Sequence, residues 1–379
     1  MDMIYLDNSA TTRVCAQAAQ AAEKCMRESF FNPSALYAPS LQVARAMKAC
    51  RQAVASVVHG EGCRVIFTSG GTEADNLAIL GGLQNVRGGG RILISAGEHP
   101  AVREAALGVK GLDTEEIPLS RDGRVDLTRL AGMLDGTVRM ICVMQVNNET
   151  GAVQPIREIG ALRDQMCPDA LLHVDGVQGF LRVPFDMRWG ADSYALSGHK
   201  IHAPKGVGAL VAGPRLRLTP RMLGGGQEES LRSGTENTPG IMALHAAIEA
   251  YPRENAMAEM KAALARLLCE AVPEAKINGP AIGDGNGAPH ILNISLPPVR
   301  SETMLHALEG EEIYVGVGSA CSSHKQKVSR TLRAMGVPPR YAESALRFSL
   351  CPENTLEEME RVVQAAARHY RVLSKFQRR

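Results

Sequence analysis

Cys321 has neighbours that suit a reactive thiol better than a core residue. It lies in the stretch YVGVGSACSSHK, residues 314–325, where three serines surround it and Lys325 adds positive charge. Core cysteines pack among apolar side chains, whereas reactive thiols need an accessible and electropositive setting. We therefore predict that Cys321 is a nucleophile on a loop that a substrate or partner reaches.

A carboxylate and a lysine follow two predicted strands in the middle of the chain. Asp175 ends ALLHVD, Gln178 comes three residues later, and Lys200 lies in the turn SGHK after ADSYALS. A strand-end carboxylate is often a helix cap, and a lysine in a turn is ordinarily a surface residue. The apolar strands on both sides of Lys200 favour an inward position, as a lysine that bonds covalently to a carbonyl group requires. Lys205, in the next turn, is the alternative.

Two further strand ends carry residues that suit a phosphorylated ring. SGGTEADN places Gly71 and Thr72 between the strand RVIFT and a helix, where backbone amides favour phosphate; helix capping by Ser69 or Thr72 explains the same pattern. His99 follows the strand RILIS, and its alternative role is a structural hydrogen bond. A phosphate cup, a stacking ring, a carboxylate, an amide and an amine together describe a pyridoxal phosphate site.

The elements that position these residues alternate between strands and helices. This order predicts an α/β fold with a mostly parallel sheet covered on both faces and a ligand site beyond the carboxyl ends of its strands. HILNISL, ETMLHALEG, EIYVGVG, VSRTLRAMG, ALRFSL and the last helix form a second, βαβαβα-like unit. We predict a large domain over residues 15–255 and a smaller α/β domain made of residues 1–14 and 256–379.

Composition excludes several functional classes. The chain has 379 residues, 45% hydrophobic and 22% charged, and a net charge of +2, which recruits neither nucleic acid nor an anionic membrane. No apolar run approaches the roughly 20 residues of a membrane-spanning helix. Nine scattered cysteines without a CxxC pair, and an N-terminus unlike a signal peptide, favour the cytoplasm. His199 and His202 are three residues apart, but the surrounding sequence does not favour a helix that would place both on one face, so we predict no metal site.

Taken together, these motifs resemble the cysteine desulfurases of the NifS/IscS type, in the class V aminotransferase branch of the fold-type I pyridoxal phosphate enzymes. The resemblance runs nearly end to end and rests on YLDNSATT, FNPSALY, FTSGGTEADNLAI, EHPAV, VNNETGAVQPI, HVDGVQ, SGHKIHAPKGVGAL, RSGTEN, GSACSS and RFSL. It implies a fold-type I transferase with pyridoxal 5'-phosphate as cofactor, L-cysteine as substrate and a homodimer as the active unit.

The resemblance also implies a role for each motif residue. Lys200 is implied to carry the cofactor, His99 to stack on its ring, Asp175 to face the ring nitrogen and Gln178 the ring oxygen. The implied phosphate or cofactor contacts are Thr72, Ser197, His199 and, lent by the partner subunit, Thr235. Asn148 and Arg347 are implied to hold the substrate carboxylate, and Cys321 to accept the sulfur.

The reaction implied by the resemblance converts L-cysteine into L-alanine and leaves a persulfide on Cys321. An acceptor protein for iron–sulfur cluster assembly or tRNA thiolation would then take the sulfur. The alternatives are a selenocysteine lyase, a class V aminotransferase, which needs no reactive loop cysteine, and a catalytically idle scaffold. Three departures from the family pattern are Ser9, Tyr37 in place of a histidine, and the basic run after Cys321.

Overall fold

The computed structural model describes residues 3–318 and 329–376, so Cys321 lies outside the described residues. The strands are β1 (Ile4–Leu6), β2 (Arg64–Thr68), β3 (Arg91–Ser95), β4 (Asp113–Ile117), β5 (Val138–Cys142), β6 (Leu171–Asp175), β7 (Ser193–Ser197), β8 (Gly208–Ala212), β9 (Lys276–Ile277), β10 (Ile291–Ser295), β11 (Ile313–Val315) and β12 (Ala345–Ser349). The α-helices are α1 (Ala16–Arg27), α2 (Ala38–Val57), α3 (Gly71–Asn76), α4 (Pro100–Leu107), α5 (Leu127–Met133), α6 (Ile156–Met166), α7 (Thr238–Ala250), α8 (Met257–Ala271), α9 (Ser301–Glu309), α10 (Arg330–Ala334), α11 (Pro339–Ala342) and α12 (Leu356–Leu373).

A seven-stranded sheet forms the larger part of the fold, with the strand order β2-β8-β7-β6-β5-β3-β4. The pairs from β7 to β4 are parallel, whereas β8 runs antiparallel to both β2 and β7. The carboxyl ends of β3, β5, β6 and β7 therefore meet at one edge. The segments that follow these strands carry most of the predicted site residues.

Successive residues of the large sheet alternate between two apolar layers. In β2, Val65 and Phe67 pack into one core cluster and Ile66 into the other. The same alternation in β3 and β5 follows from the two-residue period of a strand. A sheet covered on both faces holds its strand ends rigidly, which suits a site built from several strands.

A second core is built around shorter strands. Here β10 pairs antiparallel with β12 and β9, while β1 pairs parallel with β11. Helices α8, α9 and α12 supply apolar residues to this core. Because β1 comes from the start of the chain and β11 from its last quarter, this unit is closed by a long-range pairing.

Helix α12 shows how the sequence fixes one of these elements. Its first turn has a capping box, in which the Thr355 hydroxyl accepts from the Glu358 amide and the Glu358 carboxylate accepts from the Thr355 amide. Met359, Val362 and Val363 follow at three- and four-residue spacing and are buried against the second core. The capped start and the apolar stripe together place α12 on this sheet.

The α/β fold class with a mostly parallel central sheet is confirmed, and the strands RVIFT and RILIS form as predicted. The expected βαβαβα order of the second unit is also present, but β10 and β12 pair antiparallel rather than as a parallel βαβ sheet. The domain boundaries stay a prediction. No helix among the described residues is both long and apolar enough to cross a membrane.

Candidate active site

A cavity of about 480 Å³ opens beyond the carboxyl ends of the parallel strands. Ten of the residues predicted from the sequence line it: Gly71, Thr72, His99, Asn148, Asp175, Gln178, Ser197, His199, Lys200 and Arg347. Thr235 is exposed and is not among the lining residues. The prediction for Cys321 falls outside the described residues.

Lys200 lies largely buried in this cavity. Its Nζ donates hydrogen bonds to the backbone oxygens of Ser9 and of Ala10, the latter at 2.8 Å. Burial, and then the charges of Arg347 and Arg182, lower the pKa of Lys200 to about 7. Near neutral pH, this lysine therefore exists in part as a free amine, the form that a carbonyl group reacts with.

Lys205 also lines the cavity, but its side chain is exposed, whereas that of Lys200 is largely buried. Burial thus favours Lys200 over Lys205 as the reactive amine.

Asp175 and His99 face the same cavity from the carboxyl ends of β6 and β3, which lie on either side of β5. The carboxylate of Asp175 is buried and accepts a 2.9 Å hydrogen bond from the Val177 amide. Burial raises the pKa of Asp175, and the charges of His99 and Lys200 oppose that rise. His99 Nδ1 accepts from the Ala101 amide at 3.1 Å, so His99 caps α4 and also lines the cavity. Burial lowers the pKa of His99, which favours the neutral ring.

Gly71 in the turn after β2, and Gly208 of β8 beside that turn, have no room for a larger residue. A Cβ on Gly71 would lie 2.5 Å from Val177 Cγ2, and one on Gly208 would lie 2.7 Å from Gly70 Cα. Thr72 follows on the exposed side and borders the cavity. The Ser69 amide of this turn donates to Glu73 Oε2 at 2.8 Å, whereas Gly71 and Thr72 form the start of α3 and border the cavity.

Arg347 extends from β12 into the cavity and is buried in a fixed position. Its Nη1 donates to the Asn148 backbone oxygen at 3.0 Å, and its Nη2 donates to Asp7 Oδ1 at 2.7 Å. A Cβ on Gly316 would lie 2.7 Å from Asp7 Oδ1 and 2.9 Å from Arg347 Nη2, so Gly316 leaves the space that this ion pair occupies. A planar guanidinium fixed in this way suits recognition of a carboxylate.

His199 and Gln178 are both tied to the segment after β1. His199 Nδ1 lies 3.1 Å from Thr11 Oγ1, and burial lowers the pKa of His199 to about 4, so the ring is neutral. Gln178 Nε2 donates to the backbone oxygen of Ser9 at 2.9 Å. Because Lys200 and Gln178 both use this backbone oxygen, the serine at position 9 need not supply its side chain. Ser197 is buried at the end of β7 and lines the cavity.

Several buried ionisable residues of the cavity were not predicted from the sequence. Glu98 accepts from the Met144 amide at 2.7 Å, and burial, with the nearby Asp175 charge, raises its pKa to about 8. Asp75 lies 3.1 Å from His173 Nε2, and burial lowers the pKa of His173 to about 3. The available signals were the position of Glu98 directly before His99 and that of His173 within the buried strand LLHVD, whereas Asp75 lies in SGGTEADN.

These observations define a class of protein: an α/β enzyme fold with a buried, readily deprotonated lysine in a strand-end cavity. The sequence model of the Aminotransferase class-V family matches residues 4–362, and the chain belongs to that family. Within the family it lies among the NifS-like cysteine desulfurases. Among the described residues, no group of three or more His, Cys, Asp or Glu side chains could hold a metal ion.

Three similar proteins support this placement. The chain is 35% identical to a protein named cysteine desulfurase from Trichormus azollae over 372 residues, which is 96% of this chain and 92% of that protein. A solved structure of a NifS-like protein has 30% identity and a TM-score of 0.89, covering 98% of this chain and all of that chain. The structure titled "SspA in complex with cysteine" has 27% identity and a TM-score of 0.79, covering 93% and 100% of the two chains.

Proposed function

We propose that this protein is a cysteine desulfurase that converts L-cysteine into L-alanine and leaves the sulfur on Cys321. One observation carries the proposal: the buried amine of Lys200 and the fixed guanidinium of Arg347 line a single cavity. An amine for carbonyl chemistry and a carboxylate-binding fork suit an amino acid substrate. The similar structure with bound cysteine supports L-cysteine as that amino acid.

The cavity residues fit pyridoxal 5'-phosphate. The amides of Gly71 and Thr72 belong to the first turn of α3 at the cavity and suit a phosphate, and the Asp175 carboxylate suits a protonated ring nitrogen. When bound, this cofactor supplies an electron-withdrawing ring that stabilises negative charge at the α-carbon of an attached amino acid. The other residues proposed to hold it are His99, Gln178, Ser197, His199, Lys200 and Thr235 of the partner subunit.

Lys200 and Arg347 have complementary tasks in this proposal. Arg347, with Asn148 beside it, holds the substrate carboxylate and thereby orients the α-carbon toward Lys200. Lys200, with its pKa lowered to about 7, removes the α-proton and later returns a proton. An amine with its ordinary pKa of 10.5 would be almost fully protonated at pH 7 and could not act as this base.

Cys321 is proposed to take the sulfur as a thiolate. Its sulfur attacks the sulfur of the substrate, so an S–S bond forms while the substrate's C–S bond breaks. The electron pair of the broken bond stays with carbon, which gains a proton and becomes the methyl group of alanine. The persulfide on Cys321 then passes its terminal sulfur to an acceptor protein, in iron–sulfur cluster assembly or tRNA thiolation.

We propose a homodimer as the active unit, and the cytoplasm as its compartment. Thr235 is exposed and is not among the residues that line the cavity of its own chain, as suits a residue lent to a neighbouring cavity. A two-fold dimer is also the commonest assembly among soluble homo-oligomers. No disulfide joins the cysteines that the structure describes, which suits a reducing compartment.

The proposal is tested by incubating purified protein with pyridoxal phosphate, L-cysteine and a reductant, and then assaying alanine and sulfide. We expect equal amounts of the two products, and none from a Lys200→Ala variant. Transamination without sulfide would identify an aminotransferase instead. Neither product from the wild-type chain would refute the enzymatic proposal.

A further inference from the structure

Glu149 is a buried carboxylate that the proposed reaction leaves without a task. It lies in the turn NNET after β5, next to Asn148, and borders the cavity. Burial raises its pKa, while hydrogen bonds from Ser329 and Thr331 and the charge of Arg347 act in the opposite direction. A carboxylate is retained in such a place only when its oxygens have partners.

Both partners of Glu149 come from the start of α10. The Ser329 hydroxyl donates to Glu149 Oε2 at 2.5 Å, and the Thr331 hydroxyl donates to Oε1 at 3.2 Å. Ser329 and Thr331 are buried as well, and Ser329 Oγ accepts from the Leu332 amide as the N-cap of α10. One side chain of the substrate-binding turn thus holds the first turn of a helix about 180 residues away in the chain.

The same turn is fixed to the carboxylate-binding arginine. The Asn148 backbone oxygen accepts from Arg347 Nη1, and the Glu149 backbone oxygen accepts from Asn293 Nδ2 at 3.1 Å. Arg347 is also bound to the segment that precedes Cys321, because Gly316 exchanges two backbone hydrogen bonds with it, at 2.9 and 2.8 Å. Gly316 precedes Cys321 by five residues and Ser329 follows it by eight. Residues on both sides of Cys321 in the sequence are therefore tied to elements that carry the proposed substrate-binding residues.

We propose that Glu149 is a positioning residue. It holds Ser329 against the turn NNET, which contains Asn148, and so fixes the point at which the chain that carries Cys321 rejoins the described structure. This role rests on the proposed function, because it concerns the delivery of the Cys321 thiol. The effective concentration of a tethered group depends on where the ends of its tether are held. Releasing one end lowers the concentration of the thiol at the substrate without changing the groups that bind the substrate.

The test separates substrate binding from sulfur transfer. The variants are Glu149→Gln and Thr331→Val, since the second removes one hydrogen-bond donor without touching the cap of α10. We expect the single-turnover rate of alanine formation, measured without reductant, to fall about tenfold in Glu149→Gln and by less in Thr331→Val. In the Cys321→Ala background, the Kd for L-cysteine, read from the absorbance of the bound cofactor, should stay within about twofold of its parent.

A structural readout that does not depend on activity accompanies the kinetics. Amide hydrogen exchange in residues 329–335 of the cofactor-free protein should be faster in both variants. Ser344→Ala is the matched control: Ser344 is a buried serine of the same region whose hydroxyl donates to Arg340 and Tyr341 backbone oxygens and not to Glu149. Its single-turnover rate should equal that of the wild type.

Three results would overturn this role. An active wild type with unchanged single-turnover rates in both variants would refute the role of Glu149 and leave the proposed function standing. A loss of cysteine affinity equal to the loss of rate would make Glu149 a substrate-binding residue. A wild-type chain that forms no alanine would remove the proposed function and this role together.

Discussion

At the scale of single residues, burial shifts the pKa values of ionisable side chains that line the cavity. Lys200 and Glu98 are both held away from their ordinary charged forms, the lysine with a pKa of about 7 and the glutamate with a pKa of about 8. Both shifts have desolvation as their largest cause. Each group therefore makes the stability of the fold depend on pH. Stability rises with pH where Lys200 titrates and falls with pH where Glu98 titrates.

Lys200 is expected to make the cofactor-free protein more stable as pH rises from about 7 to 10.5. Its pKa is lower in the folded chain than the ordinary 10.5 expected for the unfolded chain, so in this window the unfolded chain binds more protons. Stability should therefore rise by at most about 1.4 kcal/mol per pH unit from this group. Urea unfolding midpoints of wild type and Lys200→Met across this range measure the effect.

The contribution of Lys200 is the difference between the two pH profiles. Other groups titrate in both proteins and cancel in the comparison, and the methionine variant should lose the rise. Glu98 acts over a lower range that overlaps this one only between about pH 7 and 8: its raised pKa predicts a fall in stability between about pH 4.5 and 8 that Glu98→Gln removes. Parallel profiles for wild type and Lys200→Met would mean that the amine is not desolvated in the folded protein.

At the scale of secondary-structure elements, the strand ends were the predictable part of the site. Apolar strands such as ALLHVD and ADSYALS are buried on both faces, so their ends and the polar residues after them are visible in the sequence. The prediction that Asp175, Gln178 and Lys200 share one cavity rested on this pattern, and the structure does bring them together.

Other features depended on contacts that no local pattern shows. Strand β4, with the sequence DTEEI, is an edge strand whose acidic residues are partly exposed, and it has no apolar run. The antiparallel strand β8 follows Lys200 after a short connection in which His202 has φ of +65°, a conformation that the sequence does not indicate. Glu149 and Asp7 gain their importance from partners about 180 and 340 residues away.

The segment before Thr235 contains a locally strained turn. Glu228, Glu229 and Ser230 have φ of +50°, +58° and +65°, a conformation that costs non-glycine residues roughly 1–2 kcal/mol each. The buried Glu228 carboxylate holds this turn, since it accepts from Arg51 Nη2 at 2.7 Å and from the Phe67 amide at 2.9 Å. The turn is thus maintained by contacts made elsewhere in the fold.

Replacing exposed Glu229 by glycine should stabilise the protein by about 1 kcal/mol, because glycine adopts positive φ without a steric penalty. Thermal unfolding measures the change. The matched control is Glu259→Gly on the exposed face of α8, which should destabilise by about 1 kcal/mol. Destabilisation by both substitutions would show that Glu229 does not have the left-handed conformation.

At the scale of the whole molecule, the cavity is shared between two cores. The large sheet contributes Lys200 and Asp175, and β12 of the second sheet contributes Arg347. The proposed homodimer would add a third contributor, Thr235 of the partner subunit. A site assembled from separate parts of a molecule allows substrate binding, cofactor binding and sulfur transfer to be altered independently.

The shared site predicts complementation between two defective chains. Lys200→Ala and Thr235→Ala each leave a homodimer with two defective cavities, whereas a mixed dimer has one cavity with both residues intact. Mixing the two variants should therefore restore part of the alanine-forming activity. Absence of rescue, when native mass spectrometry shows that mixed dimers have formed, would exclude a shared cavity.

The most direct test of the central claim is mass spectrometry of the Cys321 peptide after treatment of the purified, cofactor-loaded protein with L-cysteine and no reductant. The proposed function predicts one added sulfur atom on Cys321, and none on Cys351, whose thiol pKa burial raises to about 12. Cys321→Ala should bind the cofactor and yet form almost no alanine, because a covalent nucleophile has been removed. A Cys321→Ala protein that turns over like wild type, or a persulfide found only on another cysteine, would contradict the proposed function.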